Sequence, residues 1–263
     1  MEDKIILIDK PTGISSFGVV AKVRQKLTQK FGHKIKVGHT GTLDPFATGL
    51  LILLTGKMTK KSNDFLKLDK VYEATLKLGY TSTTGDPEGK ITEATFSKHG
   101  EVFPKEKPND SPDFYNISPL KNSASNASIR NFSEAENVVK INPREYYPSL
   151  KKVTSVISSF MGKITQQVPK FSAVKINGKR AYKLAREGKD FEPPIRNVTI
   201  YNIELLDYHY PELKIRCHVS SGTYIRTLAE DIGKKLGTGA YLTSLRRIKI
   251  GNYDVKDAII DLC

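Results

Sequence analysis

Tryptophan is absent from the 263-residue sequence, and only two cysteines occur, Cys217 and Cys263. Their spacing fits neither a zinc site nor a disulfide framework, so we expect two free thiols in a reducing compartment such as the cytoplasm. No run of about 18 apolar residues is present, and the start MEDKIILIDKPTG lacks a secretory signal pattern. These absences argue against a membrane-spanning protein and against a secreted, disulfide-rich one.

Three common catalytic signatures are also missing. Six residues separate Gly49 from Gly56, where a phosphate-binding loop needs four, and Met58 occupies the position of its Ser or Thr. The five histidines show neither paired helical spacing nor a His-Glu motif, so we expect no metal site. No G-x-S-x-G motif of a serine nucleophile occurs.

Basic residues are in excess and are unevenly distributed. Lys and Arg number 42 against 28 Asp and Glu, which gives a net charge of +14. Residues 1–70 carry +7 of this charge and residues 160–200 carry +6. Concentrated positive charge suits a polyanion because phosphate contacts release counterions. A solvated basic surface without a partner has the same composition, so charge alone leaves both readings open.

Hydrophobic periodicity predicts long strands and few helices. Ser15 or Ser16 caps the first helix, which ends at Gly32. We predict further helices at 57–68, 148–161, 180–187 and 223–236, strands at 4–9, 49–54, 70–78, 195–207, 212–220 and 240–250, and a hairpin at Asn177-Gly178. This order favours an α+β fold with a mixed, mainly antiparallel sheet flanked by helices and loops.

The composition changes at about residues 97–147. This stretch is rich in Asn, Ser and Pro and has no clear period, so we interpret it as an irregular insertion in a single domain that spans 1–263. It is either a tolerated insert or an extension of a binding surface.

Chemistry-bearing residues are densest in Gly38-His39-Thr40-Gly41-Thr42-Leu43-Asp44-Pro45. Glycines let the backbone approach a ligand closely, and Pro45 keeps Asp44 out of helical geometry. A stiff loop that presents one carboxylate ahead of an apolar run is one interpretation. An ordinary Asp-Pro turn with a surface histidine nearby is the other.

This loop and several other segments resemble the TruB family of tRNA pseudouridine synthases. Residues 38–51, GHTGTLDPFATGLL, resemble the family's catalytic signature. Further matches follow in the family's order: DKPxGxSS at 9–16, Lys70-Val71-Tyr72, Thr84-Gly85-Asp86-x-x-Gly89, Gln167-x-Pro169, Ser172-Ala173, GxxAY at 178–182, SGTYIRTL at 221–228 and Leu245-Arg246-Arg247. Ser82 stands where a threonine is expected, so the fit is looser there.

The resemblance implies a pseudouridine synthase fold and a set of site residues. Asp44 corresponds to the catalytic aspartate and Arg226 to an arginine that pairs with it. Tyr72 resembles a tyrosine that stacks on the flipped base, and His39 a histidine that fills the vacated gap. Tyr224 and Leu245 resemble residues lining the base pocket, while Lys10 and Pro11 resemble a structural pair beneath the site.

The family's reaction moves uracil from a nitrogen to a carbon linkage, so no cofactor or metal is implied. The implied substrate is the T-arm of tRNA, modified at T-loop position 55 by a monomer without an obligatory protein partner. Attack at the ribose, attack at the base and proton removal from the sugar all stay open as routes. Two rivals also stay open: a non-catalytic RNA-binding module, and the guide-RNA-dependent branch of the superfamily. The sequence further predicts that a C-terminal PUA RNA-binding domain is lacking.

Overall fold

The computed structural model describes residues 3–96, 102–104, 147–176 and 178–258. Most of the predicted insertion at 97–147, together with Asn177 of the predicted hairpin and Cys263, lies outside the described residues. Within the described ranges, no helix is long and apolar enough to cross a membrane.

The described residues form five α-helices and fourteen strands. The helices are α1 (Ser16–Phe31), α2 (Ser62–Leu66), α3 (Leu150–Ser158), α4 (Ala181–Arg186) and α5 (Ile225–Leu236), with short 3-10 helices at Gly56–Lys61 and Val255–Asp257. The strands are β1 (Ile5–Lys10), β2 (Val37–His39), β3 (Thr48–Thr55), β4 (Lys70–Leu78), β5 (Tyr80–Ser82), β6 (Ile91–Phe96), β7 (Val102–Pro104), β8 (Gly162–Gln167), β9 (Lys175–Ile176), β10 (Lys179–Arg180), β11 (Ile195–His209), β12 (Glu212–Val219), β13 (Ala240–Ile250) and β14 (Tyr253–Asp254).

One mixed sheet organises the molecule. Its strand order is β1-β3-β13-β4-β12-β11-β8, with β2 added to β3 and β14 to β13. The pair β13–β3 is parallel, and the other pairings in this sheet are antiparallel. The predicted α+β fold with a mixed, mainly antiparallel sheet is confirmed.

Helix α1 shows how local sequence determines an element. The Ser15 side chain accepts a hydrogen bond from the Gly18 amide, and Gly32 ends the helix in the left-handed region at φ 71°. The apolar positions Val19, Val20 and Val23 face one way and pack against Leu51 and Leu53 of β3. The other face of β3 packs on a second cluster, so this strand is buried on both sides.

The largest core cluster lies between the sheet and α5. Strand β4 alternates buried and half-buried residues along Lys70–Leu78, as the period-2 pattern predicts. Its buried face packs against α5, where Leu228 and Ile232 are buried, and against Val153 of α3. Tyr72 and Arg226 belong to these two elements, so the same packing positions both side chains.

Candidate active site

Asp44 lies in the loop between β2 and β3, and α1 holds this loop on one side. The Ser16 hydroxyl accepts a hydrogen bond from the Leu43 amide at 2.8 Å and donates one to the Leu43 carbonyl at 2.9 Å. On the far side of Asp44, the Gly13 amide donates to the Pro45 carbonyl at 2.8 Å. Both neighbours of Asp44 are therefore fixed by contacts to the start of α1 and the segment before it.

Two buried cations support the same loop from below. Lys10 is fully buried, and its Nζ donates to the carbonyls of Pro11 (2.8 Å), Ile14 (2.7 Å) and Pro45 (3.2 Å). Burial lowers the pKa of Lys10 to about 8, against the opposing pull of the Asp44 charge. Lys10 thus contacts the backbone on both sides of this loop, whereas the Pro11 side chain is exposed and contributes its carbonyl.

Arg247 is the second of these cations, with a relative exposure of 1%. Its guanidinium donates to the carbonyls of Leu50 (2.8 Å), Gly41 (3.2 Å) and Thr42 (3.5 Å), so it connects the two ends of the loop. Gly49 packs against the Arg247 backbone so closely that a Cβ there would lie 2.3 Å from the Arg247 carbonyl oxygen. The parallel β3–β13 pairing at this point therefore requires glycine.

Arg226 pairs with two carboxylates in the site. Its Nε lies 3.1 Å from Oδ2 of Asp44, and its Nη1 lies 3.2 Å from Oδ2 of Asp86. The same guanidinium donates to the Thr84 and Phe171 carbonyls, each at 2.9 Å. Three hydrogen-bond acceptors, Thr84, Asp86 and Phe171, fix the orientation of this side chain, and a guanidinium so held orients the Asp44 carboxylate through their ion pair.

Burial and charge oppose each other at Asp44. The relative exposure of the Asp44 side chain is 33%. Desolvation nevertheless raises the pKa of its carboxyl above the ordinary value. Arg226 and Lys10 pull this pKa down, while the charge of Asp86 pushes it further up. The sequence predicts only the lowering by arginine. It misses the net rise because desolvation depends on the surrounding fold.

The carboxylate opens into a cavity of about 1090 Å³. Tyr72, Tyr224, Leu245 and Arg226 all line this cavity together with Asp44, although they come from β4, β13, and α5 with the residue that caps it. The structure therefore brings together five of the residues that the sequence singles out. Tyr72 and Leu245 are less than one-tenth exposed, so they form walls with little freedom.

His39 lies apart from this set. It ends β2, its Nδ1 accepts a hydrogen bond from the Gly41 amide at 3.4 Å, and it is not among the described residues that line the cavity. Burial, followed by the nearby Arg247 charge, lowers the pKa of its imidazole, which favours the neutral ring.

Three residues near the site receive no role from the sequence. Asp86 and Arg247 stand within matched motifs, but nothing in those motifs indicates their ion pair or their carbonyl contacts. Gln166 is the third, and its side-chain amide bonds the Tyr224 amide (3.1 Å) and the Tyr224 carbonyl (3.3 Å). These two hydrogen bonds fix the start of α5, two residues before Arg226. No pattern in the sequence predicts this contact between Gln166 and Tyr224.

The described residues contain no group of three or more His, Cys, Asp or Glu side chains arranged to hold a metal ion. The described thiol, Cys217, is buried, and burial raises its pKa to about 12, so it is not a nucleophile at neutral pH. The cavity presents the Asp44 carboxylate beside the Arg226 guanidinium, with Asp86 and Glu88 nearby and with aromatic walls. That set suits nucleophilic or base catalysis on a flat, uncharged ring.

Comparison with known families agrees with this geometry. Residues 24–107 and 126–225 match the model of the TruB family pseudouridylate synthase N-terminal domain. Residues 226–262 match the model of the tRNA pseudouridylate synthase B C-terminal domain.

Curated relatives match over nearly the whole chain. The tRNA pseudouridine synthase B of Phocaeicola vulgatus is 38% identical over 259 residues, which cover 98% of this chain and 90% of that protein. The enzyme of the same name from Aquifex aeolicus is 38% identical over 259 residues, 98% of this chain and 71% of that protein.

Solved structures share the fold. One chain of a Cbf5-Nop10-Gar1 complex aligns with a TM-score of 0.57 at 25% identity, over 95% of this chain and 49% of its own length. One chain of an H/ACA ribonucleoprotein bound to a substrate RNA containing 2′-deoxyuridine aligns with a TM-score of 0.56 at 22% identity, over 97% and 50%. The chain spans about half the length of these solved chains. Since the family models cover most of the sequence and the relatives exceed 30% identity, the chain belongs to the TruB family of pseudouridylate synthases.

Proposed function

We propose that this protein converts uridine to pseudouridine in the T-arm of tRNA, at T-loop position 55, with Asp44 as the catalytic residue. The observation that carries the proposal is the Asp44 carboxylate, held by Arg226 at 3.1 Å and open to a cavity lined by Tyr72, Tyr224 and Leu245. The names of the curated relatives support tRNA as the substrate.

The reaction breaks the bond from uracil N1 to ribose C1′ and forms one from uracil C5 to the same C1′. C5 loses a proton and N1 gains one, so atoms and electrons balance without a co-reactant. Asp44 either adds covalently or removes a proton from the sugar, and either role needs an ionised carboxylate with a fixed direction. Arg226 supplies both requirements, because it opposes the rise in the Asp44 pKa and occupies one carboxylate oxygen.

The target uridine must leave its stack before it meets Asp44, at a cost of a few kcal/mol. Stacking on an aromatic side chain returns about 1–3 kcal/mol per base, and we assign this role to Tyr72, which lines the cavity. We assign base-pocket contacts to Leu245 and Tyr224, and filling of the gap in the RNA to His39. The surplus of basic side chains would hold the phosphate backbone without reading sequence.

The test uses the purified protein alone with a T-arm transcript that carries tritium at C5 of uridine. We expect tritium release and a single pseudouridine in the T-loop, with no added protein or guide RNA. Release that begins only when a partner protein or guide RNA is supplied would place the chain in the guide-dependent branch. Tight RNA binding with no release in either case would identify a non-catalytic RNA-binding module.

A further inference from the structure

We propose that Glu88 is a second catalytic residue of this site and accepts the proton that leaves C5 of the target uracil. This inference rests on the proposed function, because it assigns one step of the same reaction to a residue outside the pair of Asp44 and Arg226. Once the bond from C5 to C1′ has formed, C5 still carries its hydrogen, and the product appears only when that hydrogen leaves. The acceptor must therefore border the base pocket and be able to pass a proton to water.

The proposed step balances with the enzyme and water alone. The C5–H bond breaks, its electron pair forms the double bond between C5 and C6, and the proton passes to a carboxylate oxygen of Glu88. The electron pair of the double bond between C6 and N1 moves to N1, which takes a proton from water. Glu88 then releases its own proton to water, so one hydrogen at C5 is exchanged for one at N1.

Three carboxylates belong to the described residues that line the cavity, those of Asp44, Asp86 and Glu88. Asp44 is paired with Arg226 and has its own role at the sugar. Asp86 is buried, and both of its oxygens are committed: Oδ2 pairs with Arg226, and Oδ1 accepts from the Thr84 hydroxyl. Glu88 is exposed, so it combines a place in the cavity wall with direct access to water.

Hydrogen bonds place Glu88 beside the Asp44 loop. The Glu88 amide donates to Oδ1 of Asp86 at 3.0 Å, and Asp86 in turn pairs with Arg226. From the other side, the Phe46 amide donates a hydrogen bond to the Glu88 carboxylate. Phe46 lies two residues after Asp44 in the same loop, so these contacts form a closed ring from Asp44 through Arg226 back to Glu88.

The charges around Glu88 make its carboxylate a stronger base. Desolvation, followed by the charges of Asp86 and Asp44, raises the pKa of the Glu88 carboxyl above its ordinary value. Arg226 and the Phe46 hydrogen bond oppose this rise. The cavity-lining residues that the structure describes include no histidine, the commonest general base. A carboxylate with raised proton affinity is therefore the acceptor that this cavity supplies.

The experiment measures single-turnover rates of pseudouridine formation on T-arm transcripts that carry hydrogen or deuterium at C5 of the target uridine. With the wild-type protein we expect equal rates on both transcripts, because cleavage of the glycosidic bond limits the reaction. Glu88→Gln keeps the shape of the side chain but cannot accept the proton, so its rate should fall by about 100-fold. Loss of the C5 hydrogen then becomes limiting, and deuterium should slow this variant by a further factor of about two or more.

Two further variants separate proton transfer from folding. Glu204→Gln alters a glutamate of β11 that pairs with Arg216 outside the cavity, and it should match the wild type on both transcripts. Glu88→Ala should regain activity, by about tenfold, when formate but not chloride is added, because formate supplies the missing carboxylate. The inference is overturned if Glu88→Gln reacts within about threefold of the wild type or shows no deuterium effect, or if formate leaves Glu88→Ala unchanged. Failure of the proposed function is a separate result, since the wild type would then make no pseudouridine on either transcript.

Discussion

The Nε atom of Arg226 lies 3.1 Å from the Asp44 carboxylate, and the remaining guanidinium nitrogens are committed to Asp86 and to two backbone carbonyls. Asp44 is thus paired with a cation whose orientation is fixed by its other contacts. Desolvation at this position raises the pKa of the Asp44 carboxyl. The balance between this burial and this charge determines the pH at which the carboxylate is ionised.

We predict opposite pH shifts for two substitutions around Arg226. Because catalysis needs ionised Asp44, activity is lost as the pH falls through its raised pKa. Arg226→Gln removes the charge that lowers this pKa, so the acid limb of kcat/KM should move to higher pH while kcat falls by about 100-fold or more. The measurement is a pH–rate profile under single-turnover conditions.

Asp86→Asn is the matched variant for that profile. It removes a negative charge that raises the Asp44 pKa, so its acid limb should move to lower pH. Shifts of the same sign in both variants would contradict the electrostatic account of the site.

Arg247 is predicted to stabilise the fold more than its neighbour Arg246. Arg247→Met leaves the Leu50, Gly41 and Thr42 carbonyls without their buried donor, which should cost about 3 kcal/mol of unfolding free energy. Arg246→Met breaks a partly exposed pair with Asp9 and should cost about 1 kcal/mol. Urea unfolding of both variants checks the order, and equal losses would refute it.

Gly49 should tolerate no side chain, in contrast to Gly38. Gly49→Ala places a Cβ at φ 101° and 2.3 Å from the Arg247 carbonyl oxygen, so a loss of about 3 kcal/mol or more is expected. Gly38→Ala meets nothing within 4 Å and should change stability by about 0.5 kcal/mol or less. Thermal unfolding of the two variants is the comparison, and a Gly49→Ala protein as stable as the wild type would exclude the close packing described.

Salt dependence should distinguish cations that line the cavity from cations elsewhere. Arg180→Gln removes a side chain that lines the cavity, so the slope of log affinity against log salt should flatten by about one unit. Lys214→Gln alters a lysine paired with Asp207 on the solvent face of β12, and the slope should not change. Fluorescence anisotropy with a labelled T-arm provides both slopes. Equal slopes for Arg180→Gln and the wild type would remove Arg180 from the RNA-contacting surface.

The sequence predicts the elements whose signals are local. Each of these signals depends on only a few neighbouring residues: the cap at Ser15, the helix end at Gly32 and the alternation along β4. The structure has α1 and β4 where these signals predict them. Strands β2 and β8 are missed because β2 has three residues and β8 is mostly polar. Their pairing depends on β3 and β11, which are distant in the sequence.

The candidate active site is likewise predictable from the sequence only where its signals are local. Asp44 and Arg226 are far apart in the chain, and only the family resemblance, not any spacing, connects them. The second carboxylate at Asp86 and the net rise in the Asp44 pKa both depend on which groups the fold buries together. These features can therefore be read only from the folded arrangement.

The most direct measurement compares Asp44→Asn with the wild type in the C5 tritium-release assay, alongside RNA affinity and unfolding free energy. The amide keeps the shape of the side chain but can neither add to the substrate nor accept its proton, so release should fall below detection. Affinity for the T-arm should stay within about threefold of the wild type, because phosphate contacts dominate binding. Stability at neutral pH should not decrease, since the ionised carboxylate it replaces is disfavoured by desolvation. Tritium release by Asp44→Asn at the wild-type rate would contradict the catalytic role of this residue.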